Sequence, residues 1–350
     1  MIQQLIQSPE FRSALGLPEQ VHESYEQLAQ GEYNTNYVFT HPVSGSRLVL
    51  RVNMGSQMDL ERQIEYEAHA LNLTAGTGRT PGVLYCDGSK KYIGHGILVM
   101  EYLPGTYPDY RSDEDMRQVT ACLADIHAIP IPRDEVIFGE LESVPRDTVS
   151  LIAPADAGRA IIEECERMAK VYFDSPLADS AVKLRLRALL DRGHILAGEG
   201  QTPCGDSLYR CCVNTEVNST NFLLDRDHDS FARLVDWEKP LYADPAQDLG
   251  HLLAPTTTFW KTDVVYTQEE IDRWIAAYIK AAGNRYDVSG IRERTLRLIR
   301  ITCLRGLTWC AMAWVQYRQS DKALLNESTA KKLDAYLGDQ FLTSIEEVFI

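Results

Sequence analysis

The hydrophobic pattern of this chain changes its period near residue 105, and that change constrains the fold more than any other feature. Before it, four strand-like apolar runs surround one segment with helical spacing. Leu103-Pro104-Gly105 then interrupts regular structure, and beyond it apolar residues recur mostly at intervals of three and four. This order predicts an α+β protein with a small β-rich N-lobe, residues 1–104, and a large, mainly helical C-lobe, residues 105–350. A chain of 350 residues is long enough for two such units.

Within the N-lobe, the first 30 residues have an amphipathic helical pattern. Residues 33–53 read as a β-hairpin whose turn contains Gly45. A helix is predicted over 58–76, with Gly76 as its C-cap, and two further strands follow it. In the C-lobe, one strand pair interrupts the helices, at 220–225 and 231–237. Helices are predicted over 113–129, 159–173, 182–196, 268–283, 292–317 and 328–348.

Composition excludes several classes of protein. The net charge of −15 repels nucleic acid and anionic membranes, so neither is expected as a partner, whereas a cationic substrate is allowed but not required. No apolar run approaches the roughly 20 residues that span a bilayer, and the N-terminus lacks the pattern of a signal peptide. Eight scattered cysteines without a CxxC pair indicate neither a zinc site nor a disulfide framework. A cytoplasmic protein is expected.

The segment NTEVNSTNFLLD, residues 214–225, combines with VDWE, residues 235–238, in a pattern that suits phosphoryl transfer. Glu216 stands five positions before Asn221, and Asp236 follows an apolar strand-like run. That chemistry needs one carboxylate for the attacking hydroxyl and an amide with a second carboxylate for a metal ion. Asn221 and Asp236 are therefore the predicted metal ligands, and Glu216 is the predicted base.

These motifs resemble the aminoglycoside phosphotransferase and choline kinase group, over roughly residues 28–255. Family members show H-G-D-x-x-x-x-N, then a hydrophobic residue with D-W-E, then G-D-P-x-x-D-L. The second half of this pattern is matched by VDWE and by ADPAQDL, residues 243–249. The resemblance implies a bilobal protein-kinase-like fold, ATP and Mg²⁺ as cofactors, and a small-molecule substrate with a hydroxyl acceptor. Oligomeric state is left open.

The resemblance also assigns nucleotide-binding residues in the N-lobe. Gly31 and Asn34 match the family's G-x-x-N-x-x-Y loop, whose backbone amides can face phosphate oxygens, although a simple hairpin turn would look the same. Backbone groups near Glu101 and Leu103, at the end of the last strand, would bind the adenine edge.

Arg51 stands where kinases carry the phosphate-binding lysine of the third strand. A cation within a central strand is rare unless it is paired or binds an anion, and an edge-strand surface position is the alternative. Glu67 fits the family register as its partner, with Glu61 and Glu65 as less suitable choices.

The catalytic loop departs from the family pattern, because Asn214-Thr215-Glu216 replaces His-Gly-Asp. Glutamate has the chemistry of aspartate, but its extra methylene moves the carboxylate by about 1 Å, and such a displacement can cost roughly 10²-fold in rate. Three readings stay open: an active small-molecule kinase, a pseudokinase that binds nucleotide or ligand without turnover, and a transferase of another part of ATP.

The remaining assignments are structural or concern the acceptor. His127 is expected to be structural, Asp248 to order the catalytic loop, and Asp244 to cap the following helix. In the family the acceptor lies between this loop and the C-terminal helices, and the candidates here are Thr256, Thr257, Thr258, Trp260, Asp263, Trp309, Trp314 and Tyr317. The tryptophans could form an aromatic cage for a cation, but their spacing equally fits a buried helix stripe.

Overall fold

The computed structural model describes residues 2–19, 23–31, 33–199, 208–319 and 327–349, and Cys204 lies outside these ranges. The N-lobe contains one antiparallel five-stranded sheet with strand order β1-β2-β3-β5-β4. Its strands are β1 (Glu26–Gln30), β2 (Asn34–Thr40), β3 (Arg47–Asn53), β4 (Val83–Asp87) and β5 (Gly96–Glu101). Three helices accompany it: α1 (Gln3–Ile6), α2 (Pro9–Leu15) and α3 (Gln63–Thr74).

The two faces of this sheet have different roles because side chains alternate along each strand. Leu50 and Val52 of β3 face a small apolar cluster that includes Phe11 of α2. Val49 and Arg51 point to the opposite face, toward α3 and the C-lobe. The predicted α+β architecture, with a β-rich N-lobe, is confirmed.

Two local predictions in the N-lobe are wrong. The helical pattern of the first 30 residues ends at Leu15, and residues 26–30 form an exposed edge strand. Gly76 does not cap α3, because the helix continues into a 3₁₀ turn over Ala75–Thr77. Gly78, with φ of 66°, ends that turn in the left-handed conformation that glycine adopts without strain.

The C-lobe helices lie where the apolar spacing predicts them, with short additions. They are α4 (Asp113–His127), α5 (Ala157–Asp174), α6 (Ser180–Glu199), α7 (Ala246–Leu253), α8 (Pro255–Thr262), α9 (Gln268–Ala282), α10 (Ile291–Gln319), α11 (Glu327–Leu337) and α12 (Asp339–Val348). The predicted helix over 328–348 is two helices, because Gly338 separates α11 from α12. Helix α10 is long and apolar enough to cross a membrane by length and composition, but 67% of its most apolar stretch is buried within the fold.

Three strand pairs interrupt these helices. The predicted hairpin is β9 (Phe222–Asp225) with β10 (Phe231–Leu234). Two pairs of three-residue strands were not predicted, since strands this short show no alternation. They are parallel β6 (Val136–Phe138) with β7 (Leu151–Ala153), and antiparallel β8 (Cys211–Val213) with β11 (Leu241–Ala243).

The connection between the lobes follows β5. The sheet ends at Glu101, and from Thr106 the chain pairs with Leu224 of β9 through two hydrogen bonds of 3.0 and 2.8 Å. The predicted boundary at residue 104 lies in this connection. The β9–β10 hairpin is thereby fixed against the segment that joins the lobes.

Candidate active site

The β9–β10 hairpin brings Asn221 and Asp236 to the same end of one strand pair. Phe222 pairs with Leu234, and the Val235 N–H donates to the Asn221 carbonyl at 2.8 Å. Asp236 has a left-handed backbone, with φ of 64°. This conformation turns the chain out of β10 at the cleft.

Asp248 of α7 holds the catalytic loop. Its carboxylate accepts the N–H groups of Asn214 at 2.9 Å and Thr215 at 2.7 Å. His127 contacts the same carboxylate at 3.1 Å, and the other ring nitrogen of His127 lies 2.8 Å from the Tyr278 hydroxyl. All of these groups are buried. Asp248 and His127 therefore contact the loop from the protein interior and do not face the cleft.

Asp244 lies at the start of α7. Its carboxylate accepts the Ala246 N–H at 2.9 Å and pairs with Arg294 at 2.6 Å. These contacts satisfy a backbone donor at the helix start, which agrees with the expected capping role.

The loop is also hydrogen-bonded to Asp236, a predicted metal ligand. The side-chain nitrogen of Asn214 donates to the Asp236 carbonyl at 2.8 Å, and the side-chain oxygen of Asn214 accepts the Glu216 N–H at 3.1 Å. The Asn221 amide nitrogen donates to the Glu216 carbonyl at 3.0 Å. The amide oxygen of Asn221 is then the atom that can bind a cation.

Thr215 occupies the position of the family's glycine with φ of 70°. This conformation is strained for a β-branched residue, at a cost of order 1–3 kcal/mol. The Thr215 hydroxyl donates to the Lys239 carbonyl at 2.7 Å, which offsets part of that cost.

The Glu216 side chain has contacts from both lobes. Gln57, in the segment after β3, donates to Glu216 Oε1 at 3.1 Å. Arg305 of α10 places Nη2 3.6 Å from the same oxygen. The sequence gives no local sign of either contact.

Arg51 is 4% exposed and is the centre of the polar half of the cleft, which rules out the surface-charge alternative. It pairs with Glu67 of α3 at 2.5 Å and with Asp236 at 3.2 Å, and its Nε donates to Asn36 at 3.1 Å. Glu67 is thus the partner of Arg51 in the structure, while Glu65 pairs with Arg62.

Three carboxylates share the single guanidinium of Arg51, since Glu238 approaches it to 4.0 Å. Burial raises the pKa of Glu67 to about 7 despite the opposing charge of Arg51. Burial, with the charge of Asp236, raises the pKa of Glu238 to about 7. The buried Oε2 of Glu67 has no hydrogen-bond partner among the described residues. The site therefore has an excess of negative charge.

A divalent cation fits this excess. Mg²⁺ is usually held by one or two carboxylates together with substrate phosphates. Within the described ranges, no cluster of three or more His, Cys, Asp or Glu forms a closed metal cage. An open site that includes Asp236, Glu238 and the amide of Asn221 agrees with both facts.

Asn34 connects the N-lobe to Glu238. The Asn34 amide donates to the Glu238 carboxylate and accepts from Asn53 at 3.0 Å. Gly31 N–H donates to the Asn34 carbonyl at 2.8 Å, which closes the turn between β1 and β2. Glu238 was not assigned a role from the sequence, although its place two residues after Asp236 would have allowed it.

The other half of the cleft is apolar. Val38, Val49 and Met100 lie on the face of the sheet that carries Arg51, because β2 and β5 pair with β3 in register. At the hinge, the Glu101 N–H donates to Gly82 and the Tyr102 N–H to Arg47. The Leu103 N–H has no assigned partner among the described residues. Of the two predicted hinge residues, Leu103 has the available donor, whereas Glu101 can offer only its carbonyl.

The decisive comparison is with protein families. A model described as the phosphotransferase enzyme family matches residues 24–294. This chain belongs to that family. The family predicted from the catalytic-loop and VDWE motifs is therefore confirmed, and the chain is a phosphotransferase enzyme by membership. No curated protein matches the sequence significantly.

Solved structures show the same fold at low sequence identity. A spectinomycin phosphotransferase, in complex with ADP and spectinomycin, is 13% identical with a TM-score of 0.64, over 99% of this chain and 98% of that one. The ethanolamine kinase of Plasmodium vivax is 13% identical with a TM-score of 0.61, over 94% and 86%. The choline kinase of Cryptosporidium parvum is 13% identical with a TM-score of 0.59, over 93% and 97%.

Beside Glu216, this phosphotransferase has a cavity of about 310 Å³ between the catalytic loop and helices α8, α10 and α11. Thr256, Thr257, Trp260 and Trp309, all predicted acceptor candidates, line it together with Arg305. The other candidates do not line it. Asp263 pairs with Lys332, Trp314 donates to Asp334, and Thr258 is buried and donates to the Val264 carbonyl.

Proposed function

We propose that this chain catalyses Mg²⁺- and ATP-dependent phosphorylation of a hydroxyl group on a small molecule. The observation that carries the proposal is the opposition of two groups across one cleft. On one side, the buried pair of Arg51 and Glu67 contacts the partly exposed Asp236, and on the other side Glu216 faces a cavity. Family membership supports the transfer of a phosphoryl group, and the geometry supports the roles proposed for these residues.

The apolar and polar halves of the cleft suit different parts of the nucleotide. Val38, Val49 and Met100 would cover the adenine ring, and the Leu103 N–H would bind its edge. Arg51 would neutralise phosphate oxygens with its planar guanidinium. Asp236 and Asn221 would hold Mg²⁺, with Glu238 as a further carboxylate, because hard cations prefer oxygen ligands. When bound, this ion supplies charge neutralisation for the triphosphate.

The transfer itself forms one bond and breaks one. The acceptor oxygen attacks the γ-phosphorus, and the bond from that phosphorus to the bridging oxygen of ADP breaks. Glu216 Oε1 or Oε2 accepts the proton that the hydroxyl loses. Gln57 and Arg305 hold Oε1 in place, so the additional methylene of glutamate is matched by contacts that restrain it.

Two measurements on the full chain test this proposal. Thermal unfolding with ATP should show stabilisation that depends on Mg²⁺, and radiolabel from the γ-phosphate should appear on an acceptor from a metabolite panel. Asp236→Ala should abolish the Mg²⁺-dependent part of the stabilisation. Glu216→Gln should keep the stabilisation and lose transfer.

The outcomes separate the three readings of the sequence. Stabilisation without transfer would indicate a pseudokinase, and AMP on the acceptor would indicate transfer of the adenylyl group. No response to nucleotide would reject all three. Unimpaired transfer by Glu216→Gln would show that Glu216 is not the base. The cytoplasmic location stays a prediction.

A further inference from the structure

The acceptor cavity beside Glu216 is small and aromatic on one side. Its volume of about 310 Å³ lies at the lower end of the roughly 300–1,000 Å³ of ligand pockets. A ligand of one ring with its substituents fills such a volume, whereas a chain of three linked rings would extend out of its mouth.

Two indoles form the aromatic side. Trp260 and Trp309 are arranged edge to face, with ring centroids 5.5 Å apart and an interplanar angle of 89°. Trp260 has the same kind of contact with Tyr336 at 5.5 Å. Trp309 is 40% exposed, whereas its neighbours Thr308 and Cys310 on α10 are buried. An indole that lines a cavity with part of its surface free offers an apolar platform for a ring.

The charges that line the cavity cancel. Among its described lining residues the acidic side chains are Glu164 and Glu216, and the basic ones are Lys261 and Arg305. Burial also lowers the pKa of His251, so this residue is neutral near pH 7. A cavity of balanced charge does not attract a polycation, for which several free carboxylates would be required.

One of the two carboxylates is not available to a ligand. Glu164 accepts two hydrogen bonds from Arg305, at 2.9 and 3.2 Å, and lies 3.7 Å from Lys239. Burial would raise the pKa of Glu164, but the charges of Arg305 and Lys239 lower it to about 2. Glu216 alone can meet a ligand cation, and Arg305 already lies 3.6 Å from it. An ammonium group bound here would lie near the guanidinium of Arg305, and no carboxylate would be free to pair with it.

The remaining polar groups suit hydroxyls. Gln57 and Thr257 line the cavity with an amide and a hydroxyl, which can donate to and accept from alcohol groups, whereas the Asn218 amide is already bonded to the Glu216 carbonyl and to Thr220. The faces of a saturated ring carry C–H groups and pack on an indole, whereas its hydroxyls need such partners.

We propose that the acceptor is an uncharged polyhydroxylated ring compound of about monosaccharide size, packed on Trp309 with one hydroxyl directed at Glu216. This inference rests on the proposed phosphotransfer. The product is the phosphate monoester of that hydroxyl, with ADP released and the proton on Glu216.

The test uses the full chain with Mg²⁺ and ATP, and ADP release is confirmed by detection of the phosphorylated product. The uncharged panel contains monosaccharides, cyclitols such as myo-inositol, and nucleosides. The charged panel contains kanamycin, choline and glycerate. We expect kcat/KM for the best uncharged acceptor to exceed that for every charged compound by about tenfold or more. A preference for kanamycin, choline or glycerate would overturn the proposal and leave the phosphotransferase function intact.

Two variants of helix α10 test the proposed contact between the acceptor ring and Trp309. Trp309→Leu should raise KM for the best acceptor about tenfold with little change in kcat, since it removes binding shared by ground and transition states. Trp314→Leu removes an indole that points to Asp334 outside the cavity, and it should leave KM unchanged. Equal effects of the two variants on KM would contradict a ring packed on Trp309.

A null result is also informative. Suppose that Mg²⁺–ATP stabilises the chain, but that at about 10 mM no uncharged compound is phosphorylated and none quenches tryptophan fluorescence. The proposed acceptor class is then wrong, because a specific substrate binds more tightly than 10 mM. If Mg²⁺–ATP itself does not bind, the proposed function fails and the acceptor class with it.

Discussion

Glu216 is one methylene longer than the aspartate of the family loop, and its contacts predict what happens when that methylene is removed. Glu216→Asp would withdraw the carboxylate from Gln57, now 3.1 Å away, and from Arg305. We expect kcat to fall about 10- to 100-fold, because a shift of about 1 Å costs that much in phosphoryl transfer. Single-turnover kinetics would measure it, with Mg²⁺–ATP stabilisation as the control for folding. A faster aspartate variant would show that the loop keeps the family geometry and that glutamate impairs it.

Glu164 makes a separate contribution at the residue scale, to stability. The pKa of Glu164 is about 2 in the folded chain, whereas its ordinary value is 4.5. The folded state therefore binds a proton at this carboxylate less readily than the unfolded state does. Its stabilising effect is present above about pH 4.5 and is lost as pH falls toward 2, and it amounts to about 3 kcal/mol. Glu164→Gln should lower the free energy of unfolding at pH 7 by about 3 kcal/mol, because the buried Arg305 loses the carboxylate that accepts two of its hydrogen bonds.

Chemical denaturation at pH 7 and pH 4 would measure the Glu164 effect. Glu163→Gln is the matched control, since Glu163 is half exposed and forms a surface pair with Arg159. It should change stability by less than about 0.5 kcal/mol. Equal losses in the two variants would show that the buried cluster contributes nothing specific.

At the scale of elements, helix α7 contacts the catalytic loop at two places: the Asp248 carboxylate accepts two loop N–H groups, and a ring nitrogen of His251 lies 2.8 Å from the Val217 carbonyl. Asp248→Asn exchanges one acceptor oxygen for a donor, so an N–H of the loop or the ring of His127 loses its partner. We expect a loss of about 2–4 kcal/mol in stability and faster amide hydrogen exchange across residues 214–221. Asp227→Asn, on the exposed β9–β10 turn, should change neither. Unchanged exchange in the loop of Asp248→Asn would mean that β8, β11 and the contact of His251 with Val217 suffice to hold it.

The elements and the site were predictable from sequence to different degrees. The apolar period located the long helices and the sheet, and the spacing of Asn221 and Asp236 placed them on one hairpin. Glu67 lies 16 residues after Arg51, and the family register identified it as the partner of Arg51. Gln57 lies 159 residues from Glu216, and no periodic pattern links two residues that meet only after both lobes have folded. The three-residue strands were missed because pairing, not composition, defines them.

At the scale of the whole molecule, side chains of the N-lobe reach across the cleft and tie the two lobes together. The Tyr66 hydroxyl donates to the Pro240 carbonyl at 2.7 Å, and the Gln63 amide donates to the Glu238 carbonyl at 2.6 Å. The Tyr66 hydroxyl also accepts the Ile152 N–H at 3.1 Å, so α3 is bound to two parts of the C-lobe. These contacts are internal to the chain and need no nucleotide.

We therefore expect both lobes to unfold in one transition without nucleotide, although two-lobed proteins often do not. All five tryptophans lie at or after residue 237, so their fluorescence reports the C-lobe alone, while hydrogen exchange of β3 and β5 reports the N-lobe. The two transitions should coincide in urea. Tyr66→Phe with Gln63→Ala removes three hydrogen bonds between the lobes, two of them fully buried, at about 1 kcal/mol each, and should let the N-lobe unfold at lower urea than the C-lobe. Because ATP would contact both lobes, Mg²⁺–ATP should bring the separated transitions of this double variant together again. If the unmodified chain already shows two transitions, these contacts do not couple the lobes, and closure of the cleft depends on the nucleotide.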